Sequence, residues 1–188
     1  MHREILSFLE HVRREARLGD RPAHRVVEIG AFDINGSARE VFGPVARQYV
    51  GVDHRPGPGV NVVALAHDYD PAQPFDVALC CQVLEHDPYW PATLIQLCWL
   101  VREGGVVVVT CAGPGYVRHE LDTSPGYQPD ATDHHYRNVS AAEVADLLRA
   151  GARYIDLDVV ELHAHEARNR EGGLDTLAWA RFAVPVGS

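Results

Sequence analysis

The sequence predicts an α/β fold: a doubly wound, mostly parallel sheet that ends in a C-terminal antiparallel hairpin strand. Three observations predict it. Short apolar, β-branched runs alternate with helical stretches, the pattern of a parallel sheet covered on both faces. The first two runs end in glycine and in aspartate, at Gly30 and Asp53. The last two runs are separated by too few residues for an ordinary helix, so they pair as a hairpin with one antiparallel strand.

The chain has 188 residues, close to the roughly 150 of an average domain, and residues 1–188 read as a single domain. Lys and Arg number 17 against 26 Asp and Glu, a net charge of −9. That balance repels phosphate backbones and argues against a nucleic-acid partner. No apolar run approaches the roughly 20 residues of a membrane span, so no membrane partner is expected. The N-terminal stretch MHREILSFLEHVRRE is charged throughout, and no signal peptide is expected from it. The cysteines Cys80, Cys81, Cys98 and Cys111 form no C-x-x-C pair. They read as buried, reduced thiols of a cytoplasmic protein. The oligomeric state stays open.

Residues 3–18 place Ile5, Leu6, Leu9, Val12 and Ala16 at helical spacing, and Gly19 to Pro22 end the helix. Arg25–Ile29 is a buried strand. Ser37–Phe42 is a short helix stopped by Gly43-Pro44, and Tyr49–Val52 is the second strand. Arg55-Pro56-Gly57-Pro58-Gly59 is neither helix nor strand interior. Strands are predicted at Asn61–Ala66 and, after Pro74, at Phe75–Cys81. Trp90–Val101 is a helix with Pro91 in its first turn and Gly104-Gly105 after its end. Val106–Cys111 is the most apolar strand. Ser140–Ala150 is a helix opened by a capping box of Ser140 and Glu143. Tyr154–His163 and Thr176–Val184 form the hairpin. Between 112 and 139 lie 28 residues without a period, and a loop that long in a small domain points to function.

Chemistry collects at the strand ends. Gly30 permits a tight turn and close approach of a ligand to the backbone. The segment lacks G-x-G-x-x-G, having glycine at Gly30 and Gly36. Asp53 follows Gly30 by 23 residues, where an acid accepts hydrogen bonds from ribose hydroxyls. The third strand runs into His67-Asp68-Tyr69, and Asp68 is placed to accept from the exocyclic amine of adenine. The fourth runs into Gln82-Val83-Leu84-Glu85-His86-Asp87. These ends share the carboxyl edge of the sheet, where ligands bind in open α/β folds.

With these pieces in order, the chain resembles the class I S-adenosylmethionine-dependent methyltransferases. The segments carrying the resemblance are EIGAFDINGS, YVGVDHRPGPGVNVV, AHDYD, FDVALCCQVLEHDPYW and LVREGGVVVVTCAG. It is especially similar to a bacterial small single-domain subgroup reading E-I-G-x-x-x-x-N-G-S. That subgroup has G-P-G-V in place of the second crossover helix, and a D-x-Y-R-N-like segment matched by Asp133 to Asn138. The resemblance implies a Rossmann-like fold and S-adenosylmethionine as cofactor. It implies Glu28 and Gly30 beneath the methionine moiety, Asp53 on the ribose and Asp68 on adenine. Gln82 would meet the methionyl amine through its backbone carbonyl, and His86 would border the pocket. Ala31, Phe32, Gly36, His54 and Tyr69 complete the implied cofactor contacts. Phe32 departs from the family, which has glycine there.

The implied reaction is methyl transfer to a small molecule, oxygen being preferred over nitrogen as acceptor. The first helix is expected over the cofactor or substrate side, and residues 112–139 over the acceptor. An acidic acceptor group needs a base, most often histidine. The candidates are His119 and His134, with Tyr136 orienting. The loop also offers Glu120, Asp122, Asp133 and His135. Arg118 and Arg137 either grip an anionic acceptor or pair with Asp130 and Asp133. His163-x-His165 shares one strand face, but two histidines without a third ligand do not make a metal site, and none is expected. Two other functions fit a nucleotide-type fold. A nicotinamide-dependent oxidoreductase is disfavoured by the missing G-x-G-x-x-G and by Leu84-Glu85-His86. A non-catalytic nucleotide-binding module is disfavoured by intact Glu28, Gly30, Asp53 and Asp68.

Overall fold

The computed structural model describes residues 3–119 and 135–185. Its elements are α1 (Arg3–Glu15), β1 (His24–Ile29), α2 (Arg39–Phe42), β2 (Ala46–Asp53), β3 (Val62–Val63), β4 (Phe75–Cys81), α3 (Trp90–Leu100), β5 (Val101–Ala112), α4 (Ala141–Tyr154), β6 (Asp158–Arg168) and β7 (Leu174–Ala183). The strands form one sheet in the order β3-β2-β1-β4-β5-β7-β6. The first five pair in parallel, and β7 runs antiparallel to both β5 and β6. This is the expected doubly wound sheet with its hairpin. Strand order reverses between β1 and β4, so the connections from these two strands leave in opposite directions and open a crevice at their carboxyl ends.

Side chains on a strand alternate between faces, and the core divides accordingly. Val107, Val109 and Cys111 of β5 join Ala78 and Cys80 of β4 under Leu94, Leu97 and Leu148 of α3 and α4. Val106 and Val108 join Val77 and Leu79 under Ile5, Leu9 and Val12 of α1 and Phe42 of α2. The four cysteines are buried and free, as expected of reduced core thiols. Among the described residues no helix is long and apolar enough to cross a membrane.

The helix α1 does not lie over the crevice. Its apolar stripe of Ile5, Phe8, Leu9 and Val12 packs on the sheet face with Trp179 of β7. Arg181 of β7 donates to the Ala16 carbonyl at 2.9 Å, and Arg170 pairs with Glu4 at 2.6 Å. None of its described residues lines a cavity at the strand ends. An amphipathic stripe identifies a buried face but not which surface buries it.

Other boundaries move for local reasons. The third strand shrinks to Val62–Val63 because Ala66–Asp68 turn as a single 3₁₀ unit. Gly104-Gly105 do not cap α3, whose C-cap is Val101. They lie within β5, where pairing jumps from Phe75↔Val101 to Val77↔Val106. Gly104 supplies the positive φ of 75° that this bulge uses. Asp76 accepts from the Arg25 N–H and from Arg102 Nε, both at 2.6 Å, bracing the bulge. The capping box of α4 is present, with Ser140 Oγ accepting from the Glu143 N–H at 3.2 Å. The helix continues past Gly151 to Tyr154, so β6 begins at Asp158.

Gly151 stays helical because α3 and α4 touch there. A Cβ on Gly151 would stand 2.6 Å from Cys98 Sγ and 3.2 Å from Cys98 Cβ. Helix propensity alone makes Gly→Ala favourable by about 1 kcal/mol. Overpacking a full core costs about 1–3 kcal/mol. Gly151→Ala is therefore expected to destabilise the protein in urea unfolding. Adding Cys98→Ala should recover part of the loss, a positive coupling in the double-mutant cycle. A stabilised single variant would show that the helices do not meet as described.

Candidate active site

β1 delivers Gly30 at its carboxyl end with φ of 75°. A Cβ there would lie 2.1 Å from Val83 Cγ2, so the turn after β1 and the turn after β4 are in direct contact. The N–H groups of Gly30 and Ala31 both donate to the Val52 carbonyl, at 2.9 and 3.1 Å. The chain then loops through Ala31–Gly36, with Gly36 N–H donating to Asp33 Oδ1 at 2.8 Å.

Phe32 stands where the resemblance leads one to expect glycine, and the structure supplies its seat. Its ring lies against Gly57, where a Cβ would come within 2.2 Å of Cε2. The Phe32 N–H donates to Asp53 Oδ2 at 3.1 Å, and the Asp33 N–H donates to the Pro58 carbonyl at 2.9 Å. The glycine missing from the first turn is thus matched by glycine in the Arg55–Gly59 segment, which replaces a crossover helix.

Two acids fix this edge. Asp53 is nearly buried. Besides Phe32 it accepts from the Arg55 N–H at 3.1 Å, and its Oδ1 lies 3.2 Å from His54 Nδ1. Glu28, 3% exposed, accepts from Ser37 Oγ at 2.9 Å, Tyr49 OH at 2.8 Å and the Ala38 N–H at 3.2 Å. Burial raises its carboxyl above the ordinary glutamate range, against the opposing pull of these three donors.

Beyond β4, Gln82 turns with φ of 57° and donates its N–H to the Thr110 carbonyl at 2.7 Å. A non-glycine residue in this left-handed region stores strain, which collects at functional sites. The turn that follows brings Glu85 inside and His86 to the rim. Glu85 is fully buried, and among the described residues neither carboxylate oxygen completes a hydrogen bond. Burial pushes its pKa up to about 7, while the nearby amides of Glu85 and Ala112 pull the other way. Its backbone carbonyl accepts from the Arg137 N–H at 2.8 Å, tying the end of the long loop to the β4 turn.

His119 and Tyr136 meet His86 at this rim. His86 Nε2 and His119 Nε2 are 3.3 Å apart, and the Tyr136 hydroxyl is 3.3 Å from His119 Nδ1. Tyr136 also sets its ring edge-on to His86, with centroids 5.4 Å apart. Burial and the Glu85 charge raise the Tyr136 phenol, so it enters this cluster as a protonated donor.

Two adjoining cavities occupy the carboxyl edge and share Gly30, Phe32, Ile34, Gln82 and His86. One, of about 160 Å³, is lined by Asp53, His54, Ala64 to His67, Val83 and Tyr89. The other, of about 790 Å³, is lined by Glu28, Ala31, Gly36, Ser37, Tyr116, Arg118 and His119. The structure therefore gathers nine of the eleven sequence-derived cofactor residues. Asp68 and Tyr69 lie beyond the rim in a separate depression with Gln96 and Trp99. Tyr69 stacks toward Phe75 and its carbonyl accepts from Gln96 at 2.6 Å. The 3₁₀ turn carries them past the cavity and leaves His67 on its wall.

His134, Glu120, Asp122, Asp130 and Asp133 lie outside the described residues. Arg137 pairs with Glu143 of α4 and stacks on Trp90, 4.8 Å from its ring centroid, so its charge is engaged within the fold. His163 stacks on Trp179 at 4.8 Å, and His165 meets Phe8 edge-on at 6.3 Å. Sequence reasoning did not single out Tyr116, and it named His67, Val83 and above all Glu85 within their segments without giving them a role. An acid between apolar Leu84 and His86 was its one visible signal.

A family profile described as "Methyltransferase domain" matches residues 1–155. No curated protein matches the sequence. Among solved structures the chain is similar to the 1,6-didemethyltoxoflavin-N1-methyltransferase of Burkholderia thailandensis, with 1,6-didemethyltoxoflavin and S-adenosylhomocysteine bound. Identity is 19%, coverage 94% of this chain and 77% of that one, and the TM-score 0.64. It is similar also to the N-methyltransferase NodS of Bradyrhizobium japonicum in complex with S-adenosylhomocysteine, at 18% identity, 95% and 86% coverage and TM-score 0.60. The [4+2]-cyclase SpnF shares the fold at 13% identity, 96% and 81% coverage and TM-score 0.64.

The raised Glu28 carboxyl carries a sign that can be checked. A folded pKa above the unfolded one means the native state holds more protons, so stability falls as pH rises through the folded value. Replacing Glu28 by Gln removes that titration. Urea unfolding of the ligand-free protein between pH 4 and 8 should show wild type losing stability relative to Glu28→Gln as pH increases. Parallel pH profiles would mean that Glu28 ionises alike in the folded and unfolded chain.

Proposed function

The chain belongs to the methyltransferase-domain family, and from that membership we propose that it transfers the methyl group of S-adenosylmethionine to an oxygen of a small-molecule acceptor, working as a single domain. The observation that carries this reading is the convergence of Glu28, Gly30, Asp53 and Gln82 on one sheet edge, beside the His86–His119–Tyr136 cluster. Bound S-adenosylhomocysteine in the structures of two fold relatives supports the choice of cofactor. The family match weighs against the nicotinamide-dependent alternative. Fold alone does not choose the reaction, since one relative of this fold is named a cyclase.

In this reading Asp53 holds the ribose hydroxyls, with His54 at its side. Glu28 and the turn from Gly30 through Phe32 to Gly36 lie under the methionine moiety. Gln82, whose backbone carries the positive φ, offers its carbonyl to the methionyl amine. The apolar wall of Ala64, Leu65 and Ala66 takes the adenine; Asp68 and Tyr69 have no part in this assignment.

The cofactor supplies a methyl group activated by its sulfonium. The chain's own task is alignment, which supplies up to roughly 7–11 kcal/mol in ideal cases, and removal of the acceptor's proton. The acceptor oxygen forms a bond to the methyl carbon as the carbon–sulfur bond breaks. The acceptor's proton passes to His119, which Tyr136 orients. An imidazole in contact with the acceptor cavity favours a hydroxyl acceptor. Nitrogen is the second reading, favoured by the names of two N-methyltransferases that share the fold.

Calorimetry tests the cofactor assignment. S-adenosylhomocysteine should bind, NADH and NADPH should not, and Asp53→Ala should weaken the first by about 1–3 kcal/mol through loss of a charged acceptor. Unchanged affinity in a folded variant would take Asp53 out of the site. Kinetics test the base. His119→Ala should lower kcat by about 10²–10⁴-fold with cofactor affinity intact. The same loss in His134→Ala instead would move the role to that residue. Near-wild-type rates in both would speak for a nitrogen acceptor that needs alignment alone.

A further inference from the structure

The rim cluster has a second property that methyl transfer does not require. Its three donor atoms, a Glu85 carboxylate oxygen and one ring nitrogen each of His86 and His119, all lie within 4.8 Å of one another. We propose that Glu85, His86 and His119 bind a divalent transition-metal cation, with coordination positions left open toward the acceptor cavity.

The geometry of the imidazole pair carries the proposal. Nitrogens about 2.1 Å from one cation, at octahedral or tetrahedral angles, stand about 3.0–3.4 Å apart. His86 Nε2 and His119 Nε2 face each other at 3.3 Å, already the spacing of two ligands on one ion. The remaining nitrogen of His119 has the surroundings that a metal-bound histidine uses. Its Nδ1 lies 3.4 Å from the Val117 carbonyl and 3.3 Å from the Tyr136 hydroxyl. An Nδ1–H donated to that carbonyl leaves the Nε2 lone pair turned toward His86, and such outer partners fix tautomer and ring orientation in metal sites.

Glu85 is the independent observation. It is fully buried, and among the described residues neither of its oxygens has a hydrogen-bond partner. A native fold rarely leaves a buried carboxylate unanswered, because the desolvation of the group has no return. A cation between Glu85 and the two imidazoles answers it. The turn after β4 supplies Glu85 and His86 and the segment after β5 supplies His119, so the packing of the two brings the three donors together.

The donor set indicates the kind of ion. Two imidazoles and one carboxylate suit Zn²⁺, Co²⁺, Mn²⁺ or Fe²⁺, whereas Mg²⁺ and Ca²⁺ prefer oxygen throughout. Three protein ligands leave at least one position free, as in sites that take a water or a substrate atom. That position borders the larger cavity through His86 and His119, so it suits an acceptor with an ionisable oxygen. With the cation bound, His119 serves as a ligand and not as the base, and the cation would hold the acceptor oxygen in its ionised form instead. This role rests on the methyltransferase reading; the binding of the ion does not.

The test uses the whole chain, freed of metal with a chelator and titrated with ZnCl₂, CoCl₂ and MgCl₂ by calorimetry. Absorption of bound Co²⁺ provides a second readout. One Zn²⁺ or Co²⁺ per chain is expected, with binding weakened at least about tenfold in His119→Ala and in Glu85→Gln. His163→Ala combined with His165→Ala should leave it unchanged, which separates the site from other histidines. His119 is exposed, so its variant retains the fold and decides the matter if Glu85→Gln does not fold. Three results would overturn the proposal: no Zn²⁺ or Co²⁺ site tighter than millimolar, a site indifferent to His119→Ala, or preference for Mg²⁺. S-adenosylhomocysteine titrated into the same metal-free protein reports on the methyltransferase reading separately, so either reading can fail alone.

Discussion

Where β1 and β4 end side by side, the turns that leave them have no room for a side chain between them. Gly30 meets Val83 at a distance that a Cβ would reduce to 2.1 Å from Cγ2. This contact holds the crevice at its floor. From it the first turn runs toward Asp53, which accepts the Phe32 N–H, and the second runs through strained Gln82 to Glu85 and His86. Everything proposed for the site hangs on these two turns keeping their places. The sheet beneath makes that possible, because its central strands are buried on both faces and held by parallel ladders.

The two buried glutamates show how differently one fold treats the same group. Glu28 is met by a hydroxyl, a phenol and an amide, and so it works as a bracket between β1, β2 and the start of α2. Glu85 is buried more completely; the amides of Glu85 and Ala112 approach it, but among the described residues no donor completes a hydrogen bond to it. Burying a polar group without a partner costs on the order of 1–3 kcal/mol or more. A group placed at that cost, inside the rim and beside two imidazoles, is unlike a structural carboxylate.

Phe32 illustrates compensation across the chain. Family resemblance calls for glycine there, and the protein has its glycine at Gly57 instead, where the ring comes to rest. The same loop of Arg55–Gly59 donates the Pro58 carbonyl to the Asp33 N–H. Substitution and counterpart lie far apart in sequence but form one packing unit.

Much of this was legible in the sequence. Alternating apolar runs determined the parallel sheet, the short link between the last runs determined the hairpin, and Ser140 with Glu143 determined the start of α4. Gly30, Asp53, Gln82 and His86 could be placed together on the cavity wall because strand ends in such a sheet share one edge, which is a property of connectivity. What the sequence did not decide was anything set by distance between remote segments. The stripe of α1 announced a buried face, and packing against Trp179 chose the side away from the crevice. The helix predicted to end at Ala150 runs on through Gly151, where α4 packs closely on Cys98 of α3. Asp68 fell outside the cavity because a 3₁₀ turn, invisible to periodicity, carried it past the rim. The Glu85–His86–His119 cluster joins residues from the turns after β4 and β5. Local propensity and hydrophobic period fix elements and their order, whereas donor-to-donor distances arise only when those elements are packed.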